Sequence, residues 1–144
     1  MKVYLDNCCF NRPFDDQSRY RIRIEAEAKL YVQELIRKGE LELAWSYMLD
    51  YENQANPFRE RREAIEAWRS IASYDIEESE GIILLATRYG ELGIRPADCL
   101  HLACAVKMGC DYFLTTDDAL LNKLEKVKEI IILDPPTFVR KFDR

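Results

Sequence analysis

Apolar residues recur along this chain with two periods, one of about two residues in short runs and one of three to four residues in longer runs. Val3 and Leu5 stand two apart in a β-favouring context, which predicts a short strand over 2–6 that ends at Asp6 and runs into a loop, NCCFNRPFDDQ. From 18 to 38, Ile24, Ala28, Tyr31 and Leu35 repeat at helical spacing, and Gly39 supplies a stop. Leu41, Leu43 and Trp45 predict a second strand. Ser46 then caps a helix that runs toward Asn56, where Pro57 disfavours helical geometry at the preceding residue. Ala64, Ile65, Trp68 and Ile71 mark the inner side of a charged amphipathic helix over 58–73, and 77–92 reads as a further helix ending before Gly93. Pro96 suits the first turn of a helix that continues through Leu100, Ala103 and Val106 to Gly109. A strand over 112–115, a short helix over 117–125, a strand over 130–133 and a helical tail after Pro136 complete the series.

Strands alternating with helices imply right-handed crossovers. The expected fold class is therefore α/β, a three-layer α/β/α sandwich with a mostly parallel central sheet. A length of 144 residues and the absence of any linker or internal repeat predict one domain over 1–144. In such sheets, sites form beyond the carboxyl ends of the strands. Asp6, the helix that starts at Ser46, and Asp117 all belong at that edge.

Composition narrows the class. With 48% apolar and 33% charged residues the chain reads as globular, and its longest apolar runs fall far below the roughly 20 residues of a membrane span. The start, MKVYLDNCCF, lacks the apolar stretch of a secretory signal, so the expected location is cytoplasmic. Five cysteines in an odd, unpaired pattern fit free, partly buried thiols in a reducing compartment. A net charge of −5 argues against holding nucleic acid through the overall field, although Arg19, Arg21 and Arg23, and then Arg59, Arg61, Arg62 and Arg69, cluster locally. Glu25, Glu27, Glu60, Glu63 and Glu66 lie at helical spacings from them, the pattern of solvated, paired helix faces.

Four acids carry the candidate chemistry. Asp6 closes the first strand, where an acid serves either a crevice or a turn. Asp98 lies in the first turn of its helix, where the dipole also favours it. Asp117 follows a strand and Thr115-Thr116, in competition with Asp118, as ligand or cap. Glu52 borders the apolar stripe of its helix, whereas Asp50 lies about 200° away around it, so Glu52 is favoured. His101 reads as a packed or hydrogen-bonded structural residue, Asp111 as a turn acid, and the Trp and Tyr residues as mostly core. Gathered together, the acids raise one another's pKa values and oppose folding unless cations share the space. Carboxylates without clustered His or Cys suit Mg²⁺, with Mn²⁺ as its substitute, and point to phosphodiester chemistry.

The segments YLDNCCF, SYMLDYEN, RPADCLHLACAV and DYFLTTDDALL, in this order and spacing, resemble the PIN domain, including the VapC-like toxins of bacterial toxin–antitoxin pairs. The resemblance spans nearly the whole chain. It implies that Asp6, Glu52, Asp98 and Asp117 are both catalytic residues and metal ligands, and that the activity is Mg²⁺/Mn²⁺-dependent endonucleolytic hydrolysis of RNA leaving 5′-phosphate and 3′-hydroxyl ends. It further implies an antitoxin partner and a homodimer. The chain departs from the family in one respect: Asn7, Cys8 and Cys9 stand where a Ser or Thr often follows the first Asp, and a long loop containing Arg12 comes after. The rival expectation is a catalytically weak PIN-fold module that binds RNA or protein. A phosphatase or nucleotide-binding enzyme lacks support, because no Gly-rich phosphate loop is present.

Overall fold

The computed structural model describes residues 1–142. Its chain order is β1 (Lys2–Leu5), α1 (Asn7–Asn11), α2 (Tyr20–Arg37), β2 (Glu42–Ser46), α3 (Tyr47–Gln54), α4 (Arg59–Glu66), β3 (Tyr74–Ile76), α5 (Glu80–Gly90), α6 (Pro96–Lys107), β4 (Tyr112–Leu114), α7 (Asp118–Leu121), β5 (Ile131–Leu133) and α8 (Pro135–Phe142). The strands form one sheet in the order β3-β2-β1-β4-β5. Every pairing is parallel, with Val3 opposite both Leu43 and Tyr112.

That order places the chain's first strand at the centre. From β1 the chain winds outward through β2 to β3, then crosses back over β1 to β4 and β5. Right-handed crossovers in opposite directions put their helices on opposite faces of the sheet. Accordingly α2 packs with α8, while α5 packs with α6. The three-layer sandwich expected from the alternation is thus the observed fold. Its central strands are buried on both faces: Val3, Tyr4, Leu5, Leu43, Trp45 and Phe113 have no exposed surface. Gly39 and Gly109 end α2 and α6 with φ of 78° and 72°, a left-handed backbone that glycine adopts without strain.

Three local expectations are corrected. The segment NCCFNRPF, read as loop, forms α1 and a 3₁₀ turn over Arg12–Phe14, because the Asp6 carboxylate accepts the first free amide, Asn7 N, and because Cys9 and Phe10 are buried. The helix expected over 58–73 ends its α-geometry at Glu66 and passes through a 3₁₀ turn over Ala67–Ser70. The chain then enters β3, a strand that the apolar pattern does not predict, paired with β2 at the sheet's edge. The aromatic residues also divide: Trp45 and Trp68 are core, but Tyr20 and Tyr51 are exposed.

The arginine clusters pair more widely than helical spacing predicts. Arg59 meets Glu63 and Arg21 meets Glu25 as expected, whereas Arg61 reaches Asp15, and Arg69 reaches Asp50 and Asp75. Arg12, in the long segment that follows Asp6, is held by Asp15 and Glu25. Among the described residues no helix is long and apolar enough to cross a membrane.

Candidate metal centre

The winding reverses at β1 and β4, so the loops after these two strands diverge and leave a crevice between them. Asp6, Asn7, Cys8, Glu52, Asp98 and Asp117 open onto one cavity there, of about 480 Å³, together with Arg95. All four acids singled out in the sequence therefore face a common space. Asp50 and Asp118 do not line it. The former accepts the Trp45 indole N–H, and the latter pairs with Arg21 on the surface, which holds its carboxyl below the usual range.

Each acid has a local structural reason for its position. Asp6 is 6% exposed and caps α1; its Oδ1 accepts from Asn7 N at 2.8 Å and its Oδ2 from Thr115 Oγ at 2.9 Å. Thr115 also accepts from Asp117 N at 3.1 Å, so one hydroxyl ties the ends of β1 and β4 together. Asp117 caps α7 by accepting from Ala119 N. Asp98 sits in the first turn of α6. The cap and dipole readings of these residues hold alongside their exposure to the cavity, because a helix start at a strand's carboxyl end satisfies both.

Glu52 is held by a buried relay. Its Oε1 lies 2.6 Å from His101 Nε2, His101 Nδ1 lies 2.6 Å from the Tyr4 hydroxyl, and that hydroxyl lies 2.6 Å from Ser46 Oγ. Ser46 in turn accepts from Leu49 N as the cap of α3. An imidazole carrying hydrogen on Nε2 donates to the carboxylate and accepts from Tyr4 on Nδ1, which satisfies every group in the chain. Burial disfavours the imidazolium, but the bond to Glu52 and the nearby charge of Asp6 outweigh it and hold the His101 pKa above its ordinary value. The reading of His101 as a hydrogen-bonded structural residue is accurate in kind, yet it stands at the centre: Asp6, Glu52 and His101 each offer a ligand atom within 4.8 Å of the others.

Opposing charge is supplied on one side only. Arg95 pairs with Asp98 at 3.2 Å and with Asp117, and its side chain is 63% exposed. Burial and the neighbouring Asp6 still hold the Asp98 carboxyl above its ordinary range. Among the described residues, no arginine or lysine pairs with Asp6 or Glu52. In addition, the Asn7 side-chain oxygen is buried at the cavity with no hydrogen-bond partner among those residues. An unmatched acidic pair beside an orphaned amide oxygen is a donor set that fits a hard divalent cation. Cys8 takes the position after Asn7, with Sγ 3.5 Å from Asp6 Oδ2 and 3.4 Å from Thr115 Oγ.

A carboxyl whose folded pKa is raised binds its proton more tightly in the folded state, so its contribution falls as pH rises from the unfolded value through the folded one. At neutral pH the ionised Asp98 therefore opposes folding. In EDTA, Asp98→Asn is expected to raise the urea midpoint. Added Mn²⁺ at about 100 times its dissociation constant is expected to stabilise the unaltered protein by about 2.7 kcal/mol and the variant by clearly less. A variant that loses stability in EDTA would show that the Arg95 pair outweighs the repulsion.

Tyr4, Ser46, Thr115 and Arg95 were not legible as supports of the cavity's acids. On the sequence each has an ordinary role as strand core, cap, strand end or the residue before a proline, and only pairing of β1 with β2 and β4 brings three of them together.

No curated protein matches the chain. Among solved structures it is similar to VapBC2 from Rickettsia felis bound to a DNA fragment from their promoter, at 13% identity over 93% of this chain and 98% of that one, with a TM-score of 0.59. It is likewise similar to VapBC-1 from nontypeable Haemophilus influenzae, at 16% identity over 94% and 98% of the two chains, with a TM-score of 0.60. At these identities the likeness is one of fold. The family model described as PIN domain matches residues 3–127, and the chain belongs to the PIN domain family.

Proposed function

We propose that residues 1–144 form a single PIN-like domain that acts as a Mg²⁺- or Mn²⁺-dependent endoribonuclease, the toxin of a toxin–antitoxin pair. The observation that carries this reading is the convergence of Asp6, Glu52, Asp98 and Asp117 on one cavity in which Asp6 and Glu52, among the described residues, lack an arginine or lysine partner. Membership of the PIN domain family and the likeness in fold to two VapBC proteins support it.

Asp6 and Glu52 would hold the cation, with the free Asn7 oxygen as a third donor and Asp98 and Asp117 completing the acidic wall. A divalent cation bound there supplies charge neutralisation at a scissile phosphate and a lowered pKa for an attacking water. His101 fixes the Glu52 carboxylate by its short hydrogen bond, so the acid is already oriented before substrate arrives. Arg95 neutralises Asp98 and Asp117 through its Nε and one terminal nitrogen, and the other terminal nitrogen, without a partner among the described residues, is available to an incoming phosphate at the cavity. Cytoplasmic RNA is the proposed substrate. An apolar groove between α5 and α6, lined by Ile83, Ile94 and Leu100, supports association into a homodimer, and exposed Ile24 and Leu30 on α2 support an antitoxin contact.

The test is incubation of the purified chain with single-stranded and structured RNAs. Internal cleavage with Mg²⁺ or Mn²⁺ that stops with EDTA is expected. Tight Mn²⁺ binding with no cleavage of any RNA would instead favour a PIN-fold binding module, and cleavage unaffected by EDTA would remove the metal from the reading.

A further inference from the structure

A second cavity, separate from the acidic one, borders α1 at Phe10. It measures about 210 Å³ and is lined by Phe10, Phe14 and Trp68 together with Lys29, Gln33 and Arg37. Lys29 is 3% exposed, and its Nζ lies 5.0 Å from the centre of the Phe10 ring and 5.7 Å from that of Trp68. Arg37 extends its guanidinium over the same Trp68 ring at 4.6 Å. Among the described residues, no carboxylate lines the cavity. Burial, with the Arg37 charge adding to it, pushes the Lys29 amine down to about 7.

A lysine almost never lies this deep without a partner, because an unpaired ammonium loses its hydration with nothing in return. Glu25, one helical turn before Lys29 on α2, is already held by Arg12 and Arg21. The aromatic faces contribute a weak attraction to the cation, well short of an ion pair. The amine, the neighbouring guanidinium and the Gln33 amide, itself buried, therefore form a donor-rich end to an otherwise apolar and aromatic chamber.

We infer that this cavity is a binding site for a carboxylate carried on a small flat apolar group, with Lys29 as its ion partner and Phe10, Phe14 and Trp68 as its walls. Size and lining select this class. The volume falls below the roughly 300 Å³ where pockets for drug-sized ligands begin, so a nucleotide does not fit. A free phosphate would leave the aromatic walls uncovered, whereas an aromatic acid covers them and meets both cations. The site is independent of the nuclease reading, since none of its residues faces the acidic cavity. It shares α1 with that cavity, however, because Asn7 and Cys8 line the acidic cavity and Phe10 this one.

The experiment uses the full chain, labelled with ¹⁵N, and follows the two indole N–H signals of Trp45 and Trp68 while benzoate, benzamide or inorganic phosphate is added. Trp68→Phe assigns the signals. Benzoate is expected to shift the Trp68 signal saturably. In Lys29→Met, which keeps the length of the side chain and removes a buried charge, binding is expected to weaken by at least about tenfold, the effect of losing one charge-assisted hydrogen bond. Equal binding of benzamide, equal binding of phosphate, unchanged benzoate affinity in a folded Lys29→Met protein, or a shift that never saturates would each overturn the assignment. Should Lys29→Met not fold, Lys29→Gln, which retains a neutral donor, takes its place with the same expected loss.

Discussion

Replacing Asp6 with Asn is expected to lower RNA cleavage by at least about 10²-fold, the scale at which removal of one preorganised charge-stabilising group acts. The substitution keeps shape: its amide oxygen can still accept from Asn7 N, and its Nδ2 can donate to Thr115 Oγ where Asp6 accepted from it, so the fold and the α1 cap survive. What it removes is one of the two carboxylates in the cavity that no arginine or lysine among the described residues neutralises. Glu52→Gln removes the other and is expected to act comparably, and both variants should lose most of their affinity for Mn²⁺ measured by titration without RNA. Asp117→Asn should also impair cleavage, whereas Asp118→Asn, which changes a solvent-exposed carboxylate paired with Arg21, should remain within about twofold, since exposed ion pairs contribute little. Equal losses at Asp117 and Asp118, or full activity of Asp6→Asn, would contradict the proposed site.

The second large effect concerns the relay behind Glu52. Tyr4→Phe removes the donor to His101 Nδ1 and the partner of Ser46 Oγ while leaving the stacked ring against Phe113 in place. An unsatisfied buried acceptor costs about 1–3 kcal/mol. Loss of an outer partner behind a ligand characteristically costs about 10–100-fold in metal affinity or activity. A fall of that size in Mn²⁺ affinity is therefore expected. His101 is the sole histidine, so its two ring nitrogens give one unambiguous ¹⁵N pattern. In the unaltered protein Nε2 should carry hydrogen, and it should keep that hydrogen when Mg²⁺ is added. If Mg²⁺ strips the hydrogen from Nε2, His101 is itself a ligand and the relay reading fails. His101 also sets a pH dependence. Because its folded pKa is raised, its stabilisation is fully present below the ordinary histidine value and is lost as pH rises through the folded value. In EDTA, His101→Gln should flatten that fall in urea stability.

Long amphipathic segments were readable because their burial repeats many times. α2 was found from the helical spacing of its apolar positions and from Gly39, although its buried face is turned from the one that spacing marks: Ala26, Lys29, Val32 and Ile36 are buried while Ile24 is exposed. α6 needs only Pro96, its apolar positions and Gly109. Short elements were not readable in the same way. β3 has three residues, all at least partly exposed, so no alternation marks it; it is a strand because β2 offers it a ladder. The α1 segment is too short to hold a helix by propensity, and it forms where the Asp6 cap and the burial of Cys9 and Phe10 act together.

The candidate site divides along the same line. The sequence by itself determined which acids end strands or begin helices, and the 3.6-residue period alone separated Glu52 from Asp50, because both are properties of one segment and its neighbours. The tertiary structure alone decided that Thr115 bolts Asp6 to the β4 end, that Arg95 neutralises two acids and leaves two bare, and that His101 is backed by Tyr4 and Ser46. The hydrogen bonds of Tyr4 to Ser46 and His101, and of Thr115 to Asp6, join residues 42 to 109 positions apart. Nothing local records such pairs: they arise when a parallel sheet sets β1 between β2 and β4, and the geometry of that sheet, not the character of any one residue, brings their side chains within hydrogen-bond reach.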